Sequence, residues 1–140
     1  MAKAHLWNKK RHASMTTGRN KLLDGSRVLV VEDDPFIALD IMNMLREAGA
    51  QTRGPAMSLA RALELAATED FDCAILDVML RDGLVFPAAS ILRQKGVGLV
   101  FYTGQYNLED LKRDWPAAQV LLKPATSEQL VQAAGAACHP

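Results

Sequence analysis

Glu32, Asp33, Asp77, Thr103 and Lys123 are the residues of this chain whose types suit chemistry on a phosphate, and each stands at the end of a short apolar run. Three carboxylates brought close repel one another, and their pKa values rise if they stand alone. A hard divalent cation removes that repulsion. Mg²⁺ takes about six oxygen ligands in an octahedral array and keeps several of them as water. One or two carboxylates, a backbone carbonyl and a phosphate oxygen complete such a set. The Thr103 hydroxyl can donate a hydrogen bond to a phosphoryl oxygen, and Lys123 can supply a point charge to it. Asp77 can then act as the nucleophile that becomes an aspartyl phosphate. The cation, Lys123 and backbone N–H groups would stabilise charge on the transferring group.

Each residue alone has an ordinary explanation. An acidic residue after a strand is often a helix cap, which is the reading preferred for Asp34. A lone aspartate after a buried strand is more often a loop residue than a nucleophile. Thr103-Gly104 alone is a turn, and Lys123-Pro124 alone is a strand stop. Their joint occurrence at four strand ends, in this order, favours the chemical reading.

The elements that must position them alternate in type. Arg27-Val28-Leu29-Val30-Val31 reads as a strand buried on both faces. Pro35 suits the first turn of a helix capped by Asp34, with an apolar face from Ile37 to Leu45 and Gly49 beyond its end. Residues 50–53 read as a short polar strand closed by Gly54-Pro55. Ser58 caps a helix over 59–68. Residues 71–76 form a buried strand ending at Asp77, and a loop follows through Arg81-Asp82-Gly83. A third helix covers 84–95, with Pro87 tolerable only near its start. A strand over 97–102 ends at Thr103, and a short helix over 107–114 stops at Trp115-Pro116. A strand over 119–122 ends at Lys123, and a last helix opens at Thr126 or Ser127 and runs to about Ala137. Five β–α units in series predict a parallel sheet covered by helices on both faces. In such sheets ligands bind beyond the carboxyl ends of the strands, where these five residues sit.

A chain of 140 residues, 49% hydrophobic, suits one domain with a real core. Its 16 basic and 16 acidic residues are unevenly spread. Residues 1–26 hold six basic residues and one acidic, so the rest carries ten basic and fifteen acidic, a net of −5. The zero total hides a basic, disordered arm over 1–25 on a mildly acidic domain over 26–138. The arm reads as a solvated tail or as a translational start placed too early, with Met15 an alternative first residue. Cys73 reads as a core residue. Cys73 and Cys138 make no metal spacing, and a stapled secreted fold is not expected. The N-terminus lacks the apolar stretch of a signal peptide, and no run approaches a membrane helix. The expected location is the cytoplasm.

Val30-Val31-Glu32-Asp33-Asp34, Leu76-Asp77-Val78-Met79-Leu80, Tyr102-Thr103-Gly104 and Leu122-Lys123-Pro124 together resemble the receiver domain of bacterial two-component response regulators. The resemblance implies a CheY-like, flavodoxin-like doubly wound sheet of five parallel strands in the order 2-1-3-4-5. It implies Asp77 as phosphoacceptor, and Mg²⁺ held by Glu32, Asp33, Asp77 and the Met79 carbonyl. Thr103 and Lys123 would contact the phosphoryl group, and Lys123-Pro124 would be a cis peptide. Gly54-Pro55-Ala56 and Phe101-Tyr102-Thr103-Gly104-Gln105-Tyr106 further resemble alphaproteobacterial single-domain receivers with a FATGUY signature, with Tyr102 and Gln105 as departures from it.

Receivers usually carry an aromatic switch residue three positions before the lysine, and here that position is Val120. Tyr106, or else Tyr102, is the candidate replacement; the rival reading is that Tyr106 merely packs the loop. Gln105, two residues past Thr103, can orient an attacking water or simply face solvent. Gly104 leaves room beside Thr103 for a small phosphodonor or a phosphatase.

The resemblance implies a stand-alone receiver. A sensor histidine kinase or histidine phosphotransfer protein would supply the phosphoryl group. Output would go to a protein partner, or the domain would serve as phosphate shuttle or sink, as a monomer or a phosphorylation-dependent dimer. No DNA-binding domain and no membrane partner are expected. Nor is it expected to be an enzyme beyond its own phosphotransfer and autodephosphorylation. The rival reading is a phosphorylation-independent protein-binding module on the same fold, for which Val120 is the best support. A haloacid-dehalogenase-like phosphatase is excluded because Met79 stands where its second aspartate is needed, and no Gly-rich phosphate loop is present.

Overall fold

The computed structural model describes residues 21–140. Its strands are β1 (Arg27–Val31), β2 (Gln51–Ala56), β3 (Cys73–Leu76), β4 (Met79–Leu80), β5 (Gly83–Leu84), β6 (Gly98–Thr103) and β7 (Gln119–Leu122). Its helices are α1 (Pro35–Glu47), α2 (Leu59–Thr68), α3 (Phe86–Gln94), α4 (Leu108–Asp114) and α5 (Ser127–Cys138). Five strands form one parallel sheet in the order β2-β1-β3-β6-β7. Leaving aside the small β4–β5 hairpin, this is the expected 2-1-3-4-5.

The period of two along the central strands sorts their side chains between two cores. Leu29, Val31, Ala74, Leu76, Leu99 and Phe101 face one layer, where α2, α3 and α4 pack. Val28, Val30, Cys73, Ile75, Val100 and Tyr102 face the other, against α1 and α5. Caps fall where the sequence puts them. The Asp34 carboxylate accepts the N–H groups of Phe36 and Ile37, and Ser58 accepts that of Arg61. Thr126 and Gln129 form a reciprocal capping box at the start of α5.

Four features depart from the sequence-based expectations. Strand β2 does not close at Gly54-Pro55 but runs to Ala56, with a register shift against β1 and a cis Gly54-Pro55 peptide. The expected loop after Asp77 contains the antiparallel β4–β5 hairpin. Asp82, at its turn, accepts the N–H groups of Leu59 at 2.7 Å and Ala60 at 3.1 Å, and so caps α2 from outside it. These N–H groups hold the Asp82 carboxyl below the usual carboxylate range. Cys73 and Cys138 are joined in a disulfide that ties the first residue of β3 to the last of α5, against the expectation of no staple.

The fourth departure is the domain edge. Residues 21–25, assigned by sequence to the arm, pack on the domain. Leu23 is fully buried, and its N–H donates to the Ala48 carbonyl at 3.0 Å. The Leu22 side chain lies over Gly135, where a Cβ would come within 2.9 Å of it. The expected disorder over residues 1–20 lies outside the described residues. Leu23→Ala should lower unfolding free energy by about 2–3 kcal/mol, the cost of a large-to-small change in a core. Urea titration checks this, and a neutral effect would return the segment to the arm. Among the described residues no helix is long and apolar enough to cross a membrane.

Candidate functional site

The ladder hydrogen bonds run one residue past the strand ends and so fix the backbone of the site. The Asp77 N–H donates to the Val31 carbonyl at 2.9 Å, the Glu32 N–H to Ala56 at 3.0 Å, and the Lys123 N–H to Thr103 at 3.0 Å. Side chains at these positions thus share one rim. Carboxylate oxygens of Glu32, Asp33 and Asp77 lie within 4.8 Å of one another. A cleft of about 240 Å³ beside them is lined by Asp77, Met79, Thr103, Gly104, Gln105 and Lys123. The structure therefore brings together every residue assigned from sequence to the metal and phosphoryl sets. Lys123-Pro124 is cis, as expected.

Glu32 departs from a simple ligand role. It is 1% exposed, and both its oxygens are engaged. Oε1 accepts from Lys123 Nζ at 2.6 Å, and Oε2 accepts the Asp34 N–H at 3.1 Å. Lys123 Nζ lies 3.5 Å from Asp77 Oδ2. The ammonium thus rests on Glu32, with Asp77 within reach. Sequence reasoning assigned Glu32 to a cation and Lys123 to a phosphate, and missed their pairing. The signal available was that both stand just past strand ends on one rim, although β3 and β6 separate their strands in the sheet.

Burial pushes the Glu32 carboxyl up to about 6, against the Lys123 hydrogen bond and the Asp34 N–H, with the nearby Asp77 charge adding to the rise. Asp77 is also raised, first by burial, with the Lys123 charge opposing. Burial pulls Lys123 down, but the Glu32 hydrogen bond and the charges of Asp77 and Glu32 outweigh it and raise it. A carboxyl raised on folding binds its proton more tightly in the native state than in the unfolded chain. Its stabilising effect is fullest below its ordinary 4.5 and is lost as pH rises through about 6. In metal-free buffer Glu32 alone should make the protein about 1.5 kcal/mol less stable at pH 7 than at pH 4.5. Glu69 and Asp82, both lowered, act in the opposite sense at acid pH. The comparison is therefore made against Glu32→Gln, whose urea midpoint should lose this part of the pH dependence. Parallel curves for the two proteins would contradict the assignment.

The tuning residues are dispersed. Gln105 and Gly104 are exposed at the cleft. A Cβ at Gly104 would meet Lys123 only at ordinary contact distance, 3.8 Å, so the position is open. Tyr106 packs edge-on against Phe86, with centroids 5.5 Å apart. Val120 is half-buried against the same core. Tyr102 faces the other core, 7% exposed, and its hydroxyl accepts the Ala125 N–H at 2.9 Å.

A family model described as response regulator receiver domain matches residues 28–135. The transcriptional regulatory protein PdtaR of Mycobacterium tuberculosis is 35% identical over 112 residues, covering 76% of this chain and 54% of the relative. The chain thus spans about half the length of the curated relatives it matches. A response regulator receiver protein from Sinorhizobium medicae WSM419 has a similar solved structure, with a TM-score of 0.73 at 24% identity, covering 81% of this chain and 94% of that one. The receiver domain of the sensor histidine kinase PA1611 from Pseudomonas aeruginosa PAO1 was solved with a magnesium ion coordinated in its active site cleft. It gives a TM-score of 0.70 at 21% identity, covering 83% of this chain and 99% of that one. At these identities the structural likeness carries the fold.

Proposed function

The chain belongs to the response regulator receiver domain family, and from that premise we propose that Asp77 accepts a phosphoryl group from a histidine kinase or histidine phosphotransfer protein in a Mg²⁺-dependent relay. The observation that carries this reading is the meeting of three carboxylates with one ammonium, Asp77 Oδ2 and Lys123 Nζ being 3.5 Å apart beside an open cleft. Glu32, Asp33 and Asp77 form a hard-oxygen set that fits Mg²⁺, and the Met79 carbonyl, in the exposed hairpin, would complete the protein's share. When bound, the cation neutralises charge on the carboxylates and the phosphoryl oxygens.

The chain's own residues do the rest. An Asp77 oxygen attacks phosphorus while the P–N bond to the donor imidazole breaks, and that electron pair leaves with the imidazole nitrogen. Lys123 Nζ turns from Glu32 to a phosphoryl oxygen, and the Thr103 hydroxyl donates to another. Hydrolysis reverses the gain, with Gln105 at the mouth of the cleft to orient water. The domain acts as an acceptor rather than as an enzyme with an external substrate. It signals by changing protein contacts, or passes the phosphoryl group on as a shuttle or sink.

Incubation with phosphoramidate and MgCl₂ tests this. Intact mass should rise by one phosphoryl group, and chelation with EDTA should abolish the rise. An unchanged mass would favour a phosphorylation-independent protein-binding module, the reading that Val120 in place of an aromatic supports. Phosphotransfer profiling against candidate kinases then identifies the donor.

A further inference from the structure

Tyr102 directly precedes Thr103, yet alternation along β6 sends its side chain through the sheet to the opposite core. There its hydroxyl accepts the N–H of Ala125 at 2.9 Å. Lys123 Nζ lies 5.7 Å from the centroid of the same ring, close enough for attraction to its face. Ala125 stands between the Lys123-Pro124 pair and Thr126, the residue that caps α5. One side chain therefore touches the lysine and the segment leading into α5, and is bonded in sequence to the threonine. No aromatic at 120 is available for that task, and Tyr106 is occupied with Phe86.

We infer that Tyr102 is a positioning residue: its hydroxyl, by holding the Ala125 N–H, fastens the Lys123 segment to β6 and carries phosphoryl binding at Thr103 and Lys123 to the start of α5. This rests on Asp77 being the phosphoryl acceptor. As Lys123 turns from Glu32 toward the phosphoryl group, the 123–125 backbone follows. The Tyr102 bond makes that shift felt at Thr126 and the first turn of α5. Without the hydroxyl, the lysine and the helix start move independently.

The test uses the full chain, phosphorylated to completion with phosphoramidate and MgCl₂. Amide hydrogen exchange is followed in peptides covering 120–130, before and after phosphorylation. In the wild type, phosphorylation should change exchange across 123–130. Tyr102→Phe keeps the ring and should take up phosphoryl a few-fold more slowly, as expected for one lost neutral hydrogen bond. Once phosphorylated, it should show no change across 123–130. Ala125→Pro removes the donor from the other side and should give the same loss, which guards against a folding defect peculiar to Tyr102→Phe. A hydroxyl with a merely structural role would lower protection equally in both states and leave the difference intact. That result in both variants overturns the inference, as does a phosphorylated wild type with no change in the segment. A wild type that takes up no phosphoryl group overturns this inference and the acceptor reading together.

Discussion

Asp77→Asn should reduce phosphoryl uptake from phosphoramidate by on the order of 10³-fold or more, the scale on which losing a nucleophile acts. The amide lacks the negative charge that makes a carboxylate oxygen nucleophilic toward phosphorus, while its size stays close to that of the acid. The surroundings predict that the fold survives. Asp77 is buried next to two other carboxylates, with its acid form already favoured by that burial. A neutral amide therefore relieves repulsion, so stability should be held or slightly raised. Lys123 keeps its stronger partner, Glu32, at 2.6 Å. Intact mass after a time course reads the first effect and thermal melting reads the second. A phosphoryl adduct that persists in Asp77→Asn would move the acceptor to another residue. A collapsed melt would mean that Asp77 is needed for folding and that the uptake result carries no information on chemistry.

Cys138→Ala should lower the melting temperature by about 10 °C or more in non-reducing buffer. The disulfide closes a loop between residues 65 apart in sequence, for which chain-entropy reasoning gives about 4 kcal/mol. Alanine is chosen because a serine hydroxyl would add an unpaired polar group to an apolar pocket. The bond ties the start of β3 to the end of α5, so its loss loosens the helix that also packs on Leu22 and Leu23. Reductant should bring the wild type down to the level of the variant. The chain has two cysteines, so thiol titration of the denatured, unreduced protein should find none free. Two titratable thiols per chain, together with a melt indifferent to reductant, would refute the bond.

What could be read from the sequence follows from how far its physical signals reach. Central strands buried on both faces leave unbroken apolar runs, so β1, β3 and β6 were legible, and with them the rim of chemistry-bearing residues. Caps are local, so Asp34, Ser58 and Thr126 were legible too. The β4–β5 hairpin was not, because strands of two residues show no period. Gly54-Pro55 reads as a stop, yet it lies toward the end of β2, at the sheet edge, where a proline can be carried inside a strand. Leu22 and Leu23 sit between a lysine and an aspartate, so two buried or packed side chains looked like part of a polar tail. The disulfide and the Glu32–Lys123 pair join residues 65 and 91 apart, and only tertiary placement reveals either. Tyr102 was legible as an unusual aromatic beside Thr103. Its bond to Ala125 was not, since nothing local says which loop the ring will reach.

The hairpin after Asp77 has one more consequence. Its turn residue, Asp82, is fastened to the start of α2 by two hydrogen bonds, and its strands pair Met79 with Leu84. Ordering a free residue costs roughly 1–2 kcal/mol of conformational entropy. Six residues that would otherwise be a floppy loop already have that freedom removed by folding. If the Met79 carbonyl serves the proposed Mg²⁺, it would do so without an ordering penalty at the moment of binding. Association at this rim should consequently show a small entropic cost, and loosening the distant Asp82 anchor should weaken it without touching a single ligand atom.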